Sequence, residues 1–259
     1  MPYPTHDVTN QPPPLLDYNL YTGDQFLQAA VRVDGASAAQ AGLEAFGAAC
    51  GRAETIQWGF QANAYPPVLR THDRYGHRID EVDFHPAYHA LLELAVRHGL
   101  HGRPWREPGA GAHVARAAHF FLLAQIEAGV GYPLSMTYSG VPALRALPEI
   151  AREWEPWLTS YDYDPRHRPA REKRGALCGM AMTEKQGGSD VRANLTRATP
   201  AGSAHGPGAE YHLTGHKWFC SAPMCDAFLV LAHTDRGLSC FFVPRFLPDD
   251  SKNRFFFFK

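Results

Sequence analysis

The feature that most constrains the fold is a change of hydrophobic period at a Pro- and Arg-rich joint, Asp164 to Arg174. Before it, apolar residues recur at helical spacing; after it, they alternate at period two. Phe26, Leu27, Ala30 and Val31 mark a short amphipathic helix. Ala38, Ala41, Leu43, Ala45, Phe46 and Ala49 mark a second, whose small residues predict close packing. Thr55 to Ala64 continues helical until Pro66-Pro67 stops it. Arg70 to Phe84 is charged and turn-rich around Asp73-Arg74-Tyr75-Gly76, which predicts a small hairpin. Pro86 opens a helix carrying Tyr88, Leu91, Leu92, Ala95 and Val96, and Gly99 ends it. Ala110 to Gly129 is apolar nearly all round and reads as a buried helix. Two more helices are expected near Leu134 to Leu147 and Pro148 to Leu158. Beyond the joint, strands are expected over Ala176 to Met182, Asn194 to Thr199, Tyr211 to Phe219, Ala227 to His233 and Leu238 to Val243, with Pro200 to Ala209 as a hairpin tip. Helices first and strands second mean an α+β chain of two domains. The expected division is an arm over 1–22, a helical domain over 23–163, a linker over 164–175 and a partial β-domain over 176–259. The Pro-rich arm needs a surface to lie on if it is ordered.

Composition narrows the function classes. A hydrophobic fraction of 45% is that of a globular chain with a real core. No run approaches the ~20 apolar residues of a bilayer span, and the start Met1 to Asp7 has no basic n-region or apolar h-region. Five cysteines, an odd and scattered set, read as free thiols of a reducing cytoplasm. His113 with His119 and His85 with His89 have the look of helix-face residues, and no zinc spacing accompanies Cys220 and Cys225; no metal is expected. A formal net charge of −1 leaves no global field for nucleic acid. The local exception is the run Arg166, His167, Arg168, Arg171, Lys173 and Arg174, which reads either as a solvated loop or as a phosphate-attracting patch.

Two segments after the joint carry chemistry. Thr183-Glu184-Lys185-Gln186-Gly187-Gly188-Ser189-Asp190 places two glycines between two hydroxyls and two acids. Paired glycines let backbone approach a bulky ligand and present N–H groups to it, and the hydroxyls donate or accept. The same loop also reads as a plain turn. About thirty residues on, Gly215-His216-Lys217-Trp218-Phe219-Cys220-Ser221 ends a strand in aromatics followed by a hydroxyl. An aromatic there can cover a flat ring while the hydroxyl reaches its heteroatom; the alternative is a core strand with a Trp in it.

Taken together and in this order, the two segments resemble the T-E-x-x-G-x-S-D and G-x-K-x-(aromatic)-x-(Ser/Thr) motifs of the acyl-CoA dehydrogenase flavoproteins. The AidB-like branch, tied to the bacterial response to DNA alkylation, is the nearest in pattern. Asn10-Gln11-Pro12 with Asn19-Leu20-Tyr21, Met182 to Val191, Gly215 to Phe219 and Leu238 to Arg245 carry the resemblance, which extends from about Thr5 to about Arg254.

The resemblance implies a fold and a site. The fold is a helical domain followed by an antiparallel β-barrel domain, here incomplete, with the C-terminal helical bundle absent. The cofactor is FAD, held non-covalently. Thr183 would meet the pyrimidine edge of the flavin. The main chain around Met182 and Gly188, with the Ser189 hydroxyl, would serve the ribityl and pyrophosphate region, and Met180 belongs to the same cofactor-binding set. Phe219 would stack on the ring and Ser221 would lie near its reactive nitrogen. Cys220 and Trp218 alternate away and are expected to pack. The substrate class is an acyl-CoA or related small molecule, and the catalytic base is a Glu of the C-terminal bundle, beyond Lys259. The expected chain is therefore a C-terminally truncated one with an open sheet edge and a Phe255 to Phe258 tail, binding FAD weakly or not at all, carrying out no dehydrogenation and binding DNA poorly. For the full-length protein a homotetramer, no membrane and possible DNA binding are implied. The alternatives are a DNA-protecting flavoprotein with little dehydrogenase turnover and a non-functional fragment.

Overall fold

The computed structural model describes residues 5–254 and 256–257. Eight helices and a hairpin come first: α1 (Gln25–Val33), α2 (Gln40–Cys50), α3 (Ala53–Ala64), β1 (Val68–His72), β2 (Arg78–Asp83), α4 (Pro86–Arg97), α5 (Arg103–Arg106), α6 (Ala112–Ala124), α7 (Gly131–Leu144) and α8 (Pro148–Leu158). Five strands follow: β3 (Cys178–Ala181), β4 (Arg197–Pro200), β5 (Tyr211–Thr214), β6 (Ala227–Thr234) and β7 (Gly237–Pro244). The α+β order is the expected one. Within the expected Phe255 to Phe258 tail, Phe255 and Phe258 lie outside the described residues.

The helical part closes on Leu43, Phe46, Leu91, Leu92, Leu122 and Leu134. The small residues of α2 have a specific purpose. The arm ends on this helix: Leu20 N–H donates to Gly47 O at 3.2 Å, and Leu20 and Tyr21 are buried. A Cβ on Gly51 would overlap the Tyr18 carbonyl oxygen, and one on Gly47 would stand 2.7 Å from Tyr21 N. Helix α6 is shorter than expected and not buried all round; Phe121 is 51% exposed. It stops at Ala124 because Glu127 turns the chain, its carboxylate accepting Gly129 N–H at 2.8 Å and Val130 N–H at 2.7 Å just before α7.

The sheet is not closed among the described residues, and it is mixed where antiparallel pairing was expected. β3 pairs parallel with β6 from Cys178↔Ala227 to Ala181↔Val230; β4 touches β6 in parallel at Arg197↔His233; β4–β5 and β6–β7 are antiparallel. The parallel pair arises because both strands start from one anchor. Leu177 N–H donates to Asp226 Oδ2 at 2.9 Å, and Asp226 N–H returns a bond to Leu177 O at 2.8 Å. Two faces then alternate along the strands. Cys178, Met180, Ala227, Leu229 and Phe242 pack on Val141, Leu144 and Trp154 of α7 and α8. Ala181, Phe228, Val230 and Val243 pack on Leu213 and Cys220 on the other side. Thr137 fixes α7 to the sheet, its Oγ1 accepting from Cys178 N at 2.9 Å.

Candidate functional site

One strand starts later and one stops earlier than its period implies, and both breaks build the site. β4 begins at Arg197 rather than Asn194 because the Leu195 and Thr196 N–H groups donate to the Glu184 carboxylate, at 2.6 and 2.9 Å, instead of to a neighbouring strand. β5 stops at Thr214 because Gly215 presses on Thr196, where any Cβ would collide. The chain from Gly215 to Ser221 is therefore irregular, with Phe219 at a left-handed φ of 61°. The expectation that Trp218 packs away fails for that reason. Trp218 and Phe219 are both exposed, Phe219 at 75%, while Cys220 does pack, against the inner face of the sheet.

The two motif segments lie side by side. Trp218 N–H donates to Thr183 O at 2.9 Å. Lys217 Nζ lies 3.1 Å from Glu184 Oε1 and 3.4 Å from Met182 O. Asn194 Nδ2 donates to Met182 O at 2.8 Å, and Gln186 Nε2 to Glu184 Oε2 at 2.9 Å. Glu184 is the hub of this network. Burial opposes its ionisation, but bonds from Leu195 N–H, the Thr196 hydroxyl, Gln186 and Thr196 N–H outweigh that and hold the carboxyl well below the usual range. Sequence reasoning gave no role to Glu184, Lys217, Asn194 or Thr196. The available signal was an acid and a base of opposite sign in two otherwise β-patterned segments.

The sequence-derived residues fall into two groups. Met180 and Met182 send their side chains into the helix-facing core. Thr183 is half-buried, and Gly188 is pressed on it: a Cβ there would stand 2.9 Å from Thr183 Oγ1. Ser189 and Ser221 are exposed, and Ser221 Oγ donates to Phe219 O at 3.4 Å. Among the described residues, the N–H groups of Gly188 and Ser189 and the hydroxyls of Thr183 and Ser189 make no hydrogen bond. Polar groups left open beside an exposed aromatic ring are what a flat, polyphosphorylated cofactor needs. An open groove of about 2870 Å³ is lined by Trp154, Leu229, Phe242 and Phe219; of the seven residues above, Phe219 alone borders it, and the open polar groups of Thr183, Gly188 and Ser189 do not.

The basic run is partly paired within the chain, with Arg168 and Arg174 left exposed and without an ion pair among the described residues. Arg166 binds Asp164, its Nη2 2.7 Å from Asp164 Oδ2; Arg171 binds Asp250; Lys173 Nζ lies 2.5 Å from Asp226 Oδ1; His167 Nδ1 is 3.7 Å from Glu81 Oε1. Intramolecular pairing takes up Arg166, Arg171 and Lys173 of the run, not Arg168 or Arg174.

Residues 10–165 match the family described as the adaptive response protein AidB N-terminal domain, and residues 179–253 match the acyl-CoA dehydrogenase middle domain. The chain belongs to the AidB-like acyl-CoA dehydrogenase family. It is 47% identical over 255 residues to the putative acyl-CoA dehydrogenase AidB of Escherichia coli (strain K12), covering 98% of this chain and 46% of that one. It is 29% identical over 214 residues to acyl-CoA dehydrogenase family member 11 of Caenorhabditis elegans, covering 77% and 33%. Among solved structures, Bd2924 in its apo form superposes with a TM-score of 0.80 at 29% identity, covering 95% of this chain and 49% of that one. The C. elegans ACDH-11 complex with C11-CoA superposes with a TM-score of 0.76 at 23% identity, covering 97% and 44%, a likeness of fold. The AidB-like chain described here thus spans about half or less of the length of each of these relatives. Among its described residues no helix is long and apolar enough to cross a membrane.

Proposed function

We propose that this chain forms one wall of an FAD site in an acyl-CoA dehydrogenase-like oxidoreductase, organised as the arm, helical domain, linker and β-domain delimited above. The observation that carries the reading is the bond from Trp218 N–H to Thr183 O, which sets the two motif segments beside each other. Bound FAD would supply the hydride acceptor for oxidation of an acyl thioester. The Thr183 hydroxyl would bind the polar edge of the ring. Gly188 and Ser189 would offer their N–H groups, and Ser189 its hydroxyl, to the ribityl and pyrophosphate region. Phe219 would cover a ring face and Ser221 would sit near the reactive nitrogen, while Met180 and Met182 would give an apolar floor. The base that removes the substrate proton would be a Glu outside these 259 residues. A cytoplasmic setting and a homotetramer belong to the same reading.

The DNA-protecting alternative is less well supported by this chain, because three of the five cations of its basic run, Arg166, Arg171 and Lys173, are held in internal ion pairs, leaving Arg168 and Arg174. The test is a titration of FAD fluorescence with the 259-residue chain. Weak saturable quenching is expected, reduced severalfold by Phe219→Ala and by Thr183→Ala. Quenching that neither substitution changes, or none at millimolar chain, would remove the proposal.

A further inference from the structure

A second, smaller cavity of about 250 Å³ lies at the seam between α4, the 162–175 segment and the start of the sheet. The cavity takes in Ala222, which directly follows Ser221 of the second motif, but no residue of the first. It opens beside Leu177 and Asp226, at the starting end of the parallel β3–β6 pair, whereas Thr183 follows the far end of β3. Six residues at about 3.3 Å each put roughly 20 Å between them.

Its walls define what could enter. Phe84 and Tyr88 stack on one side, their ring centroids 4.2 Å apart, and His89 with Tyr163 form the next part, His89 Nδ1 2.7 Å from the Tyr163 hydroxyl. Of the charged groups on the lining, Lys173 already lies 2.5 Å from Asp226, Asp164 is paired with Arg166 and Asp83 with Arg70, while Asp162 and His167 are exposed. His101 is the deeply buried member of the lining whose acceptor is open. It is 1% exposed, and its Nε2 lies 2.9 Å from the Ser160 carbonyl oxygen. A carbonyl only accepts, so Nε2 carries the hydrogen and Nδ1 is left as a lone-pair acceptor. Nδ1 is buried with no partner. Burial pushes the His101 pKa down to about 4, so the ring is neutral at pH 7. A buried acceptor left unmet is costly, and a donor from a guest would recover that cost.

We propose that this seam cavity binds a small neutral aromatic molecule carrying one O–H or N–H donor, of phenol to indole size, which donates to His101 Nδ1. Size, wall chemistry and the orphan acceptor agree on this class. An apolar cavity of about 150 Å³ takes up benzene, so 250 Å³ admits a slightly larger ring. It is far too small for FAD or an acyl-CoA, and the site stands whether or not the flavin reading does.

The experiment uses phenol, indole and benzene as probes on the full chain, reading thermal unfolding and the ¹⁵N resonances of the His101 ring. Phenol is expected to raise the melting temperature, to move the Nδ1 resonance, and to bind about tenfold more tightly than benzene, one hydrogen bond's worth. Ala222→Phe fills the cavity from its buried wall and should abolish both effects. Should that variant not fold, His101→Phe keeps the shape and removes the acceptor, and should bind phenol and benzene equally. No resonance shift with phenol or indole, a shift that survives Ala222→Phe, or a phenol preference retained in His101→Phe would each overturn the proposal.

Discussion

Lys217 Nζ lies 3.1 Å from Glu184 Oε1, and this one ion pair ties the ends of two segments 33 residues apart. Both side chains are largely withdrawn from solvent, Glu184 at 4% and Lys217 at 12% exposure. Removing one partner of such a pair strands the other. Glu184→Ala also leaves the Leu195 and Thr196 N–H groups without their acceptor. The expected cost is about 3–5 kcal/mol in urea unfolding. Lys217→Ala should cost less, because Glu184 keeps its other donors. Equal costs for the two would contradict the hub role of the carboxylate.

The acid side of the stability curve should be set first by histidines. Burial pushes His101 and His119 down to about 4 from a usual 6.5. For a depressed histidine the unfolded state takes up protons first, so stability falls as pH drops below 6.5 and levels off near 4. Each should remove about 3 kcal/mol across that window. Glu184 and Asp164 act differently. Their carboxyls are held well below the usual range, so their contribution is lost only as pH falls past about 4. Denaturation midpoints measured from pH 7 to 5 should already decline, and His119→Gln should flatten the slope. A midpoint constant to pH 5 would refute this assignment.

Much of the fold was legible because periodicity survives in the residues that carry it. Pro86 does open α4 at its first turn, the Asp73 turn does join β1 to β2, and each of the five expected strands has a counterpart. Direction was not legible. Alternation in Ala176 to Met182 and Ala227 to His233 fixes faces but not whether the strands run parallel, and that depends on Asp226 bonding Leu177 across 49 residues. Strand ends were misread where a side chain replaced a ladder partner, as Glu184 does at Leu195 and Thr196. In the candidate site, the hydroxyls and glycines stood out in the sequence, but the charged pair that holds them did not, because its two members look like ordinary surface residues when read separately.

The arm offers a test of close packing. Gly51 admits the Tyr18 carbonyl where a methyl would overlap it, and that neighbour is backbone, which cannot swing aside. Gly51→Ala should detach Tyr18 and expose Leu20, at a cost of about 1–3 kcal/mol. Limited proteolysis should then cut before Leu20 faster than in the parent chain. An unchanged digestion pattern would mean that the arm is not held through this contact.

The last test concerns Lys173 and Asp226, buried at 4% and 8% exposure at the seam. Burial raises the Asp226 pKa even against the attraction of Lys173, which indicates that taking this carboxylate out of water is expensive. Such a pair contributes little net stability over apolar packing; its value lies in what it excludes. Here Asp226 also accepts Leu177 N–H, so the pair sets where β3 starts against β6. Asp226→Ala should therefore cost about 3–5 kcal/mol by leaving Lys173 buried and unpaired. The double substitution Lys173→Met with Asp226→Leu should recover most of that loss in urea unfolding. It should not recover the strand pairing, because leucine cannot accept the Leu177 N–H. Amide exchange at Leu177 and Cys178 separates the two effects: fast exchange in a double variant of near-parent stability is the expected result, and full protection there would show that the β3–β6 pairing does not depend on this carboxylate.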